Sequence, residues 1–208
     1  MRRPSKIVCV GRNYVEHAAE LGNVVPERPL LFMKPPSALI EDGGQIVLPS
    51  VSERVEHEGE IGVVIAKTLK SVTEDEAVSG IKGITCINDV TARDLQKTDN
   101  QWTRAKGFDT FCPTGPRIVE LEGLADMESL EVFCRVNGVE RQHGRAADMA
   151  FKIPMIVSYI SHIMTLEEGD LIATGTPAGV GPLQPGDVVE VEILGVGVLR
   201  NSVVAGNR

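Results

Sequence analysis

The sequence predicts one mostly-β domain with a few helices (α+β), and three observations predict it. Short apolar, β-branched runs recur along the chain and are bounded by Gly and Pro. Helical periodicity is well developed over only one stretch. Strands do not alternate regularly with helices, which disfavours a doubly wound parallel sheet. With 208 residues the chain can bury a sizeable core, and no repeat, low-complexity tract or linker divides it. Residues 1–208 therefore read as a single domain.

The elements follow in order. Residues 6–10 form an apolar opening strand, and Gly11-Arg12-Asn13 then provides a flexible entry to a short amphipathic helix over 14–21. A second strand, 30–33, ends in Lys34-Pro35-Pro36. Residues 57–66 begin polar and finish in Val63-Val64-Ile65, a strand wet at one end and buried at the other; 81–88 is similar. Between them Thr73-Glu74-Asp75-Glu76 has capping-box spacing and starts a helix toward Ser79. Asn137-Gly138 suits a type I′ turn, so 130–136 and 139–142 make a hairpin. The best helix spans 154–164, with Pro154 at its first position and Ile156, Ile160 and Ile163 on one face. Strands over 171–174, 187–193 and 196–204 close the fold.

Composition narrows the function. The net charge is −8 and no basic cluster exceeds Arg2-Arg3, which argues against a nucleic-acid partner. An anionic substrate would need a local cation to overcome that charge. No apolar run approaches the roughly 18 residues of a membrane span, and the run after Arg2-Arg3 is too brief for a signal-peptide core. The four cysteines are far apart without a CxxC pair; Cys9, Cys86 and Cys134 read as reduced thiols in strands. A cytoplasmic protein with no membrane partner is expected.

Several residues could carry chemistry. In His57-Glu58-Gly59-Glu60, strand alternation puts both carboxylates on one side and His57 on the other. Two such carboxylates repel unless a cation or proton lies between them, although a solvated strand face has the same look, as at Glu190 and Glu192. Asp89 sits where a strand meets a turn; it either caps that turn or converges as a third ligand. Such an all-oxygen set suits Mg²⁺, Mn²⁺ or Ca²⁺ and argues against Zn²⁺. His17 and Glu20 share a helical face, as an exposed pair or as a base held by a carboxylate. Lys34 and Lys106 sit in apolar company and could bind an oxyanion. The Gly-rich loop 174–181 lacks a P-loop ending, so it is either a tight turn or a surface for a small acid.

Together these stretches resemble the fumarylacetoacetate hydrolase family, in particular its single-domain acylpyruvate hydrolase and oxaloacetate decarboxylase branch. The segments are Gly11-Arg12-Asn13-Tyr14 with His17 and Glu20, Phe32-Met33-Lys34-Pro35, His57-Glu58-Gly59-Glu60, Asn88 to Asp94, Trp102 to Phe108, and Thr174-Gly175-Thr176-Pro177 with Gly179-Val180-Gly181. The resemblance implies a mixed β-roll that dimerises. It implies that Glu58, Glu60 and Asp89 hold Mg²⁺ or Mn²⁺, that His17 and Glu20 activate water on a mobile lid over 12–22, and that Lys106 stabilises negative charge. Arg12, Lys34, Arg93, Gln96 and Thr176 would line the pocket for a small anionic 2-oxo acid. The implied reaction is metal-dependent C–C cleavage through an enolate, as in acylpyruvate hydrolysis or oxaloacetate decarboxylation. Isomerisation of unsaturated 2-oxo diacids in aromatic catabolism is the alternative, and a metal- or ligand-binding protein without catalysis is the competitor from another class. Two features depart from the family pattern: Glu56 stands where several relatives carry a second His, and the stretch between Gln96 and Trp102 is short.

Overall fold

The computed structural model describes residues 3–121 and 123–206; Met1, Arg2, Asn207 and Arg208, the ends of the expected single domain, and Glu122 lie outside the described residues. A seven-stranded mixed sheet runs, edge to edge, through Leu30–Lys34, Ile7–Gly11, Leu171–Ala173, Gly59–Ile65, Ile81–Asn88, Cys112–Val119 and Leu39–Ile40. Ile7–Gly11 is parallel to Leu171–Ala173, and Leu39–Ile40 to Cys112–Val119; the other pairings are antiparallel. A five-stranded sheet packs against it, in the order Val139–Arg145, Glu131–Val136, Val188–Ile193, Gly197–Ala205 and Gln45–Leu48. The result is the expected mostly-β mixed roll.

Two-sided burial explains the continuous apolar runs. In the opening strand Val8 and Val10 enter the main core, while Ile7 and Cys9 join a smaller cluster with Val64, Ile87 and Ala173. Gly59–Ile65 alternates likewise: Ile61, Val63 and Ile65 face the main core, and Glu60 and Val64 the smaller cluster. That second face, apolar at one end and carboxylate-bearing at the other, positions the site.

Local chemistry met most expectations. Thr73 and Glu76 form both arms of the capping box on Glu74–Val78. Asn137 (φ 54) and Gly138 (φ 77) both adopt positive φ in the hairpin turn. Several details differ. The strand expected over 57–66 breaks at Glu58 into Val55–His57 and Gly59–Ile65. The long helix is Ile153–Ile163, with Pro154 second, and Ile163 is 55% exposed because the helix ends beyond the core's edge. Cys112–Val119 is a strand that Pro113 and Pro116 conceal from a propensity reading. Arg93–Thr98 and Thr103–Lys106 are short helices whose polarity concealed their periodicity. Among the described residues no helix is long and apolar enough to cross a membrane.

Candidate active site

The break at Glu58 assembles the carboxylates. Asp89 N–H donates to the Glu58 carbonyl (2.8 Å), and Glu58 N–H donates to Asn88 Oδ1 (3.0 Å), so the two chain segments are pinned side by side. One oxygen each from Glu58, Glu60 and Asp89 lies within 4.8 Å of the others, and all three residues are buried. His57 points the opposite way, with Nδ1 3.0 Å from Gln142 Oε1. Burial lowers its pKa, so the ring is neutral near pH 7 and Nδ1 donates its proton to that amide oxygen.

Cations surround the triad unevenly. Lys106 Nζ bridges Glu58 (2.7 Å) and Asp89 (2.6 Å). Lys34 Nζ donates to the other Asp89 oxygen and to the Val90 carbonyl. Arg93 donates to Glu58 through Nη2 and to Glu56 through Nε, with Arg54 on the far Glu56 oxygen. Burial alone would raise the Glu58 pKa, but Lys106, Arg93 and His17 outweigh it and hold the carboxyl well below its usual range. Lys106 shows the converse: burial disfavours its charge, yet Asp89 and Glu58 raise its pKa.

Glu60 is different. It accepts the Gly175 N–H (2.7 Å), and no cation among the described residues is within ion-pair distance of it. Burial, Asp89 and Glu58 raise its pKa well above the carboxylate range. The charge is thus unbalanced locally: Glu56, Glu58 and Asp89 are each paired with cations (Arg54 and Arg93, Arg93 and Lys106, Lys34 and Lys106), and Glu60 beside them is not. A divalent cation between Glu60 and its two neighbours would correct that imbalance, and three carboxylate donors suit a hard oxygen-seeking ion. The residues fit Mg²⁺ or Mn²⁺.

The triad opens into a cavity of about 440 Å³. Arg12, His17, Glu20, Arg93, Gln96, Lys106 and Thr176 also line it, so the structure brings together nearly all the sequence-predicted residues. Lys34 is the correction. It does not line the cavity but lies fully buried behind Asp89, because its ammonium is taken by the Asp89 carboxylate. His17 Nδ1 lies 3.4 Å from Glu20 Oε2, and Glu20 accepts the Gly179 N–H (3.1 and 3.2 Å), closing the helix Val15–Glu20 over the site. Asn13 anchors that segment to Phe151 and to the Thr174 carbonyl. Arg12 holds a left-handed φ of 59 and has no partner among the described residues, so its guanidinium is available to a ligand.

Some participants were missed from sequence. Phe32 and Trp102, in edge contact at 5.2 Å, form an apolar wall, with the Lys106 ammonium 4.8 Å from the Phe32 ring centre. Gly11 admits that wall: a Cβ there would meet Trp102 at 3.0 Å. Lys97 lines the cavity from the helix Arg93–Thr98, one residue beyond Gln96. Gln142 is the most consequential omission. Its signal was weak, a lone amide in a strand whose other residues are mostly exposed.

Residues 6–204 match the family model described as fumarylacetoacetate (FAA) hydrolase C-terminal. The chain is a member of the fumarylacetoacetate hydrolase family. It is 43% identical over 206 residues to the oxaloacetate tautomerase FAHD1, mitochondrial, of Arabidopsis thaliana, covering 97% of this chain and 92% of that protein. It is 43% identical over 196 residues to the oxaloacetate decarboxylase, mitochondrial, of Dictyostelium discoideum, covering 92% and 89%. The crystal structure of 2-hydroxyhepta-2,4-diene-1,7-dioate isomerase from Mycobacterium marinum superposes with a TM-score of 0.90 at 45% identity, covering 99% of this chain and 77% of the other. As a fumarylacetoacetate hydrolase family member this chain is an enzyme, and Glu58, Glu60 and Asp89 form the acidic triad that could bind a divalent metal.

Proposed function

We propose that this enzyme enolises a small 2-oxo diacid of the oxaloacetate type, by tautomerisation or by loss of CO₂, with Mg²⁺ or Mn²⁺ held by Glu58, Glu60 and Asp89. One observation carries the reading: the triad, the His17–Glu20 pair, Lys106 and the unpartnered Arg12 all face one cavity. When bound, the ion supplies Lewis acidity to the oxygens of a 2-oxo acid. Arg12 binds a substrate carboxylate. Lys106 stays charged between Glu58 and Asp89 and offers a fixed positive charge to the developing enolate. An ionised Glu20 only accepts, so His17 carries its proton on Nδ1 and leaves Nε2 to move a proton at the substrate carbon. Phe32 and Trp102 exclude water from one side. Relatives named for oxaloacetate support this substrate class.

A second reading is hydrolysis of an acylpyruvate to pyruvate and a carboxylic acid. The burial of His17 against Glu20 favours it, because the same Nε2 can take a proton from an attacking water. Isomerisation of an unsaturated 2-oxo diacid uses the same enolisation without water and is supported by the isomerase neighbour.

The test offers oxaloacetate and acetylpyruvate side by side with Mg²⁺, Mn²⁺ or a chelator. Metal-dependent loss of the oxaloacetate enol or release of pyruvate is expected. Turnover of both that a chelator leaves untouched would overturn the metal assignment, and silence on both would overturn the substrate class. A homodimer is part of the proposal; a monomer in sedimentation at micromolar concentration would remove it.

A further inference from the structure

Gln142 reaches the site from the five-stranded sheet, and its hydrogen bonds set the polarity of the Thr176 hydroxyl. It is buried, and Nε2 lies 2.7 Å from the Pro177 carbonyl and 2.7 Å from Thr176 Oγ1. Oε1 lies 3.0 Å from Gly59 N and 3.0 Å from His57 Nδ1. A carbonyl only accepts and a main-chain N–H only donates, so the amide cannot be turned round. Thr176 Oγ1 therefore accepts from Gln142. Its own proton goes to the Gly59 carbonyl, 2.9 Å away. One lone pair is left on Oγ1, without a partner among the described residues, on a residue that lines the cavity. Thr176 thus has no side-chain proton for a substrate carboxylate or keto oxygen.

We propose that Gln142 is a positioning residue that holds Thr176 Oγ1 as a dedicated acceptor in the cavity, and that this acceptor takes an O–H from the reacting molecules, either the hydroxyl of an enolised 2-oxo acid or water. The inference rests on the cavity being the site of 2-oxo acid chemistry. It explains why a neutral amide is buried at this point: Gln142 satisfies the Gly59 N–H between two metal-facing carboxylates while fixing the hydroxyl beside them. It also leaves recognition of the substrate carboxylate to Arg12.

Gln142→Met, Thr176→Val, the double variant and Thr176→Ser test this in the metal-loaded enzyme. Two reactions are followed: ketonisation of oxaloacetate enol, which consumes no water, and hydrolysis of acetylpyruvate, which does. Each single variant is expected to lower kcat by about tenfold or more with KM within about twofold. The double variant should lose no more than the worse single, and Thr176→Ser should keep kcat within about twofold. Loss in both reactions assigns the enol hydroxyl; loss in hydrolysis alone assigns water. Multiplying losses in the double variant, or a raised KM at unchanged kcat, overturns the proposal. If Gln142→Met does not fold, the contrast between Thr176→Val and Thr176→Ser carries the kinetic arm. If the wild type turns over neither substrate, the functional reading has failed, and the polarity is read separately by ¹⁵N NMR. The Gln142 side-chain amide protons should then exchange slowly and shift in Thr176→Val; fast exchange in the wild type overturns it.

Discussion

Glu60 concentrates the energetics of the site in one carboxyl. Its folded pKa is raised by burial, Asp89 and Glu58, so in metal-free protein it holds a proton that the unfolded chain has lost. The unfolded state then binds fewer protons, and stability falls as pH rises from the unfolded value, about 4.3, toward the raised folded one. Glu58 acts oppositely, since its depressed pKa gives stability that is lost only on acidification below the unfolded value. The thermal stability of chelated protein should therefore fall with rising pH above about 4.3, and Mg²⁺ should cancel the slope. Glu60→Gln should remove both the slope and the response to Mg²⁺ while leaving the metal-free protein folded. An unaltered Mg²⁺ response in calorimetry would show that Glu60 is not a ligand. His17→Ala should depress hydrolysis about 10²-fold or more. Oxaloacetate turnover should fall with it if the same Nε2 moves a proton at the substrate carbon, and a loss confined to hydrolysis would restrict His17 to water activation.

At the scale of elements, the loop 174–181 does more than turn the chain. Gly175 N–H holds Glu60, and Gly179 N–H holds Glu20, so one loop positions a candidate metal ligand and the carboxylate beside His17. Gly179 has φ +100, and a Cβ there would stand 1.9 Å from the Arg141 carbonyl. Gly179→Ala must displace the backbone, and kcat should fall about tenfold or more as Glu20 loses its donor. Gly186 provides the control, with φ +96 and open space around the added atom. Gly186→Ala should cost ~1–2 kcal/mol of stability from its backbone conformation and leave kcat unchanged. Equal kinetic effects of the two substitutions would show that the Glu20 contact is incidental. The capping box behaves independently of chemistry: Thr73→Ala should cost ~1 kcal/mol in denaturant unfolding without touching turnover.

For the whole molecule, a metal bound at the triad would join an already formed pair of sheets rather than create them. The main core holds the roll together without any titratable ligand, and the triad hangs at one end of the smaller cluster. Chelation should thus abolish turnover while circular dichroism keeps its strand and helix signal. At a hundredfold excess over Kd, Mg²⁺ should stabilise the fold by about 2.7 kcal/mol, a rise of about 5–10 °C in Tm for a domain of this size. Collapse of the secondary-structure signal on chelation would make the ion structural.

The sequence by itself determined the class of fold, most of the strands, the hairpin turn and capping box, and the residue types of the site. These are local matters: alternation, a positive-φ dipeptide and capping spacing act over a few residues and leave their mark in order. The proline-bearing strand Cys112–Val119 escaped because its pairing with Ile81–Asn88 overrides its propensity. Tertiary structure alone decided which polar residues meet. Only the break at Glu58 makes Glu58, Glu60 and Asp89 converge, only packing withdraws Lys34 behind Asp89, and only the meeting of two sheets brings Gln142 to Thr176. The reason is physical: a charge or an amide acquires its role from the desolvation and partners around it, and those partners lie tens of residues away along the chain.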